Sequence, residues 1–135
     1  MSKSNPPWKK LVDELVSLGH HSPHLERLRQ RYGRAYDHAG LEQEIASEMA
    51  AALGQSEEKL LVALLEVERA GLKLGRARPG AEYDALADRF NELRRDALRR
   101  RWELQIHREA LGFLRNQVLE ELYPVPPAVP RPGRP

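Results

Sequence analysis

The chain has 135 residues, 41% hydrophobic and 31% charged, with no Cys and nearly balanced charge: 22 Lys+Arg against 20 Asp+Glu, net +2. That is one domain's worth of core. It excludes disulfides, thiolate catalysis and cysteine-bearing zinc sites, and the charge is too balanced to imply nucleic acid by itself, since nonspecific phosphate binding needs concentrated positive potential.

Met1 to Asn5 is a polar lead-in, and Pro6-Pro7 opens a helix expected over about 7–18, because Pro fits a first turn whose N–H groups have no intrahelical partner. Trp8, Leu11, Val12, Leu15 and Val16 make its apolar face, and Gly19 is the expected C-cap. Asp13 and Glu14 interrupt the apolar stretch behind Lys3, Lys9 and Lys10, so no signal peptide is expected. No run approaches the roughly 20 apolar residues of a bilayer span. The expectation is a cytoplasmic protein without membrane contact.

Ser22-Pro23 starts a second helix, about 23–38, as N-cap and first helical residue. Leu25, Leu28 and Tyr32 line its apolar face, with Gly33 and Gly40 marking an end or kink. The third segment, about 41–70, carries Leu41, Ile45, Met49 and Leu53 on one stripe. Gly54 and Ser56 leave open whether it breaks in two, with Ser56 as a second N-cap. Leu60, Leu61, Leu64, Leu65 and Val67 make its later part apolar around much of the circumference, which places it in the core.

Gly71 to Gly80 reads as a connecting loop. Beyond it no Pro occurs before Pro124, so one long helix is expected over 81–122, about 60 Å if straight. Gly112 is its one weak point. Residues 123–135 are Pro-rich and read as an extended polyproline-type or disordered tail outside a single helical domain at 1–122. The fold class is all-α: a bundle of shorter helices on one long C-terminal helix.

In the long helix, heptad position a holds Tyr83, Phe90, Ala97, Leu104, Leu111 and Val118, and position d holds Leu86, Leu93, Arg100, His107, Leu114 and Glu121. Position e carries Arg94, Arg101, Arg108 and Arg115; position g includes Asp96 and Glu103. Basic e beside acidic g is a helix-pairing pattern. Leu98, Trp102, Ile106, Phe113 and Leu119 put a second apolar surface on the opposite side. A helix apolar on two faces is sandwiched in its own bundle or meets another subunit.

Chemical signals are weak. Glu44 and Glu48, with Glu103 and His107, are candidate metal ligands at helical spacing, but the paired Glu-x-x-His steps of di-iron bundles are absent, and salt bridging is the leading use. His20, His21 and His24 cluster beside a turn and read as exposed loop residues. Ser56-Glu57-Glu58-Lys59 spells Ser-x-x-Lys without the companion motifs of a serine acyl-enzyme.

Two stretches carry a family resemblance. Leu41-Glu42-Gln43-Glu44-Ile45-Ala46-Ser47-Glu48-Met49-Ala50 through Leu53-Gly54, and His107-Arg108-Glu109-Ala110-Leu111-Gly112 leading to Tyr123-Pro124-Val125-Pro126, resemble a small uncharacterised bacterial family of helical proteins, a domain of unknown function. The resemblance spans about Leu41 to Val129. It implies an all-α fold with no assigned activity, and a buried ionic cluster of Glu44, Glu48, Arg108 and Glu109. The combined expectation is a non-enzymatic helical interaction module without cofactor or metal. It is expected to act as a homodimer or with a protein partner, through the e-position arginines, Trp102 and Phe113. The alternatives are a weak nonspecific nucleic-acid binder using Arg94, Arg101, Arg108 and Arg115, and a metal-dependent bundle enzyme.

Overall fold

The computed structural model describes residues 6–34 and 44–130. These form α1 (Lys9–Ser17), α2 (Pro23–Arg34), α3 (Glu44–Gly75), α4 (Ala81–Ala110) and α5 (Gln117–Leu122), an all-α fold. The expected end of the second helix at residue 38, the start of the third at Leu41, and the last prolines, Pro132 and Pro135, lie outside the described residues. Among the described residues, no helix is long and apolar enough to cross a membrane.

α3 runs unbroken through Gly54 and Ser56. Ser56 is buried inside the helix rather than capping one. Leu60, Leu61, Ala63, Leu64, Leu65, Val67 and Ala70 are all buried. A helix buried around most of its circumference needs cover from several neighbours, and α1, α2 and α4 all pack against this one. α3 and α4 form a long antiparallel helical hairpin.

The connecting loop is shorter than the glycines suggest. Gly71 and Gly75 belong to α3, and only Arg76–Gly80 link the helices, with Gly80 at φ +110. A Cβ on Gly71 would sit 3.5 Å from Phe90 Cε2, so the glycine lies where the Phe90 ring crosses α3.

α1 runs parallel to α3. Trp8 Nε1 donates to Glu58 Oε1 (2.9 Å) near its start, and Arg69 bridges Glu14 (2.9 Å) and Glu66 (2.6 Å) near its end. The helix stops at Gly19, whose φ of +74 suits glycine. Gly19 N–H donates to Val16 O and His20 N–H to Leu15 O, the paired bonds of a Schellman cap. Ser22 Oγ then accepts from Leu25 N–H (3.1 Å) as the N-cap of α2.

His21 is exposed as expected, but His20 and His24 are more deeply placed. His20 Nε2 lies 3.0 Å from Glu68 Oε2. His24 is buried and stacks on Tyr123 with ring centroids 6.2 Å apart, and its Nδ1 has no hydrogen-bond partner among the described residues. Burial pushes its pKa below the ordinary 6.5; Glu68 opposes this shift and Arg27 adds to it. The unfolded chain therefore takes up this proton at a higher pH than the folded one. Stability from the neutral ring is complete above pH 6.5 and is lost as pH falls through the lowered folded value. The melting temperature should drop on acidification below pH 6.5, and His24→Phe should flatten that drop. An unchanged slope in the variant would contradict this placement.

Candidate interaction surface

The long helix ends at Ala110, not at Leu122. Leu111 caps it, and Gly112 follows at φ +91. Gly112 N–H donates to Glu109 O and Phe113 N–H to Arg108 O, a second Schellman cap, from which the chain reverses into α5 and the tail. Leu119 and Tyr123 are buried against the hairpin, and Val125 and Val129 pack on the same core. The Pro-rich segment is extended, as its composition implies, but it is docked along α4 rather than free.

What docks it is the arginine stripe. Arg101 Nη1 donates to Tyr123 O (3.0 Å) and Arg94 Nε to Pro126 O (2.6 Å). Arg108 Nε reaches Asn116 Oδ1 (3.1 Å), its Nη2 reaches Arg115 O (3.2 Å), and its guanidinium lies over the Phe113 ring at 4.9 Å. Asn91 completes the rail: Nδ2 donates to Val129 O (2.9 Å) while Oδ1 accepts from Val129 N–H (2.8 Å). From α2, Arg27 donates to Leu122 O (3.2 Å) and lies over the Tyr123 ring at 5.3 Å. The Tyr123 hydroxyl donates to Glu57 of α3.

The spacing has a simple origin. Arg101 and Arg94 are one heptad apart, about 10.5 Å along α4. Their acceptors on Tyr123 and Pro126 are three residues apart, about 9.3 Å in a polyproline-type chain. One heptad thus matches one turn of the extended segment, running antiparallel to α4. Proline has a carbonyl but no N–H, so a strand of this composition is held by side-chain donors rather than by a backbone ladder.

The expected charge pairing is corrected accordingly. Asp96 and Glu103 pair with Arg99 and Arg100 within α4, the Arg100 Nη1–Glu103 Oε2 contact being 3.5 Å. The e-position Arg94, Arg101 and Arg108 donate to backbone and to Asn116 instead. The side chain of Arg115 is exposed. The seam is intramolecular: Ala87, Phe90, Ala97 and Leu104 are the buried face of α4, which packs on α3.

The metal candidates are not brought together. Glu48 and His107 are exposed, Glu103 is in its ion pairs, and the side chain of Glu44 lies outside the described residues. No group of three or more His, Asp or Glu placed to hold a metal occurs among the described residues. Nor does the implied ionic cluster form there: Glu109 is exposed and accepts from Gln105 (2.9 Å) and Asn116 (3.3 Å).

No family model matches the chain, and comparison with curated proteins and with solved structures finds no match. The resemblance drawn over Leu41 to Val129 therefore rests on its own residues.

The expected second apolar face divides: Leu119 is buried and Leu98 half-buried, while Trp102, Ile106 and Phe113 are exposed, together with Leu114 from the expected seam. Trp102 is 61% exposed, Ile106 40%, Phe113 47% and Leu114 86%. Sequence reasoning missed Asn91, Arg27 and the docking of the tail. The available signal was the alternation Tyr123–Val125 followed by Val129, an apolar edge on a strand-like segment. Asn91→Ala should accelerate hydrogen exchange of the Val129 amide at least tenfold and leave the α3 amides unchanged. An unaltered Val129 rate would show that Asn91 does not hold the tail.

Proposed function

We propose that the chain is a non-enzymatic helical interaction module that self-associates through the C-terminal half of α4 and the turn after it. The observation that carries this reading is the set of exposed apolar residues Trp102, Ile106, Phe113 and Leu114 around the end of α4. Isolated exposed apolar residues are ordinary on a protein surface. Four large ones within thirteen residues, at one end of a hairpin, are the kind of patch that marks an interaction site. Trp is also the residue most often found at the energetic centre of an interface.

Support for the alternatives is weaker. The nucleic-acid reading rested on the e-position arginines, and Arg94, Arg101 and Arg108 are engaged with the chain's own polar groups. The enzyme reading rested on Glu44, Glu48, Glu103 and His107, of which Glu103 is ion-paired and His107 exposed. The proposal takes the cytoplasm as the setting.

Light scattering after gel filtration tests the reading. A concentration-dependent dimer is expected, weakened at least tenfold by Trp102→Glu without loss of helicity. A strict monomer at the highest attainable concentration would overturn it.

A further inference from the structure

Residues 113–130 form a strap that leaves α4 at Gly112 and folds back along it. Three features of this return are unusual. The turn depends on one glycine: a Cβ on Gly112 would meet nothing within 4 Å, so its φ of +91, and not crowding, is what demands glycine there. The reversed segment Phe113–Asn116 contains neither Pro nor a β-branched residue, so it holds no helix breaker, although Phe113 and Asn116 are weak helix formers. Finally, the closed turn leaves Leu114 86% exposed.

The spacing shows what a straight chain would do at this point. Continued through Gly112, α4 and α5 become one helix from Ala81 to Leu122, about 60 Å long. At 100° per residue, Trp102, Ile106 and Phe113 then fall within about 40° of one another on a single stripe. Leu111, Leu114 and Val118 extend the seam of Leu104. Apolar side chains scattered around a turn become two continuous apolar lines.

We propose that the strap is exchanged between two copies of this chain. In the exchanged dimer α4 and α5 are one helix in each copy, and residues 117–130 of one copy lie on the rail of the other. This deepens the self-association reading and rests on it. The groove requires nothing new, because the incoming strap is identical to the one it already holds. The contacts to Asn91, Arg94, Arg101 and Tyr123 are kept, now between chains. The exchange removes the turn and the contacts of Arg108 to Phe113, Arg115 and Asn116 that sit on it, and it adds two features, a longer helix and apolar contact where the two straightened segments meet. Such reciprocal exchange of an identical element is a low-cost route to a two-fold dimer.

Two measurements on the full-length chain test the exchange. The chain has no cysteine, so Asn91→Cys and Val129→Cys can be placed in separate chains, mixed, equilibrated at high concentration and mildly oxidised. A disulfide between chains is expected well above the yield of a Ser17→Cys and Asn91→Cys mixture, which reports random collision. Gly112→Ala penalises the turn and favours the continuous helix, and should strengthen dimerisation at least tenfold. A wild-type dimer with no interchain disulfide above the control, or a Gly112→Ala association constant equal to or weaker than that of the wild type, would overturn the exchange and leave self-association standing. If wild type and Gly112→Ala are both strict monomers, both readings fail.

Discussion

The structure depends on the middle of α3. From Leu60 to Ala70 this helix buries residues around most of its circumference, with Leu60, Leu61 and Leu65 fully enclosed and Val62, Glu66 and Arg69 on the partly exposed side. An apolar surface this wide is not stable in water, so its neighbours are obligatory. α1 and α2 cover one side, fastened by Trp8–Glu58 and by the Glu14–Arg69–Glu66 bridge. α4 covers another, setting Phe90 over Gly71 and burying Ala97 and Leu104. The returning strap places Leu119 and Tyr123 where the other helices leave the core open.

α4 consequently has two different long edges. The edge facing the strap carries Asn91, Arg94, Arg101 and Arg108, whose donors meet carbonyl oxygens and Asn116. Guanidinium donors suit this task, since each projects several N–H groups from a long arm and stays charged at every physiological pH. The outer edge carries Trp102 and Ile106 with no cover. Charge on this helix organises the chain's own fold, and the apolar edge is left exposed.

Much of this was legible in the residues. The all-α class, the centrality of Leu60–Val67, the caps at Gly19 and Ser22 and the weak point at Gly112 follow from periodicity and from the backbone freedom of glycine. Gly71 misled because glycine is tolerated inside a helix when a neighbour such as Phe90 packs over it, whereas Gly75, with nothing near it, is simply the last residue of α3. The continuous helix over 81–122 failed at one residue: a single left-handed φ outweighs the helical preference of the residues around it. The arginines at position e were seen as a set, but their acceptors were not. A backbone carbonyl is the same in every residue, so no side-chain pattern announces it. The candidate surface was legible as apolar residues on a second face, whereas its exposure depended on tertiary packing and required the fold.

The central claim is that the Pro-rich segment is a structural part of the domain, held by the donor rail of α4. Amide 15N heteronuclear relaxation measures this directly, because Val125, Ala128 and Val129 are the tail residues between Pro124 and Pro130 that carry an N–H. Their steady-state heteronuclear NOE values should match those of amides in the middle of α4. Near-zero or negative values at these three residues, beside rigid helices, would contradict the account.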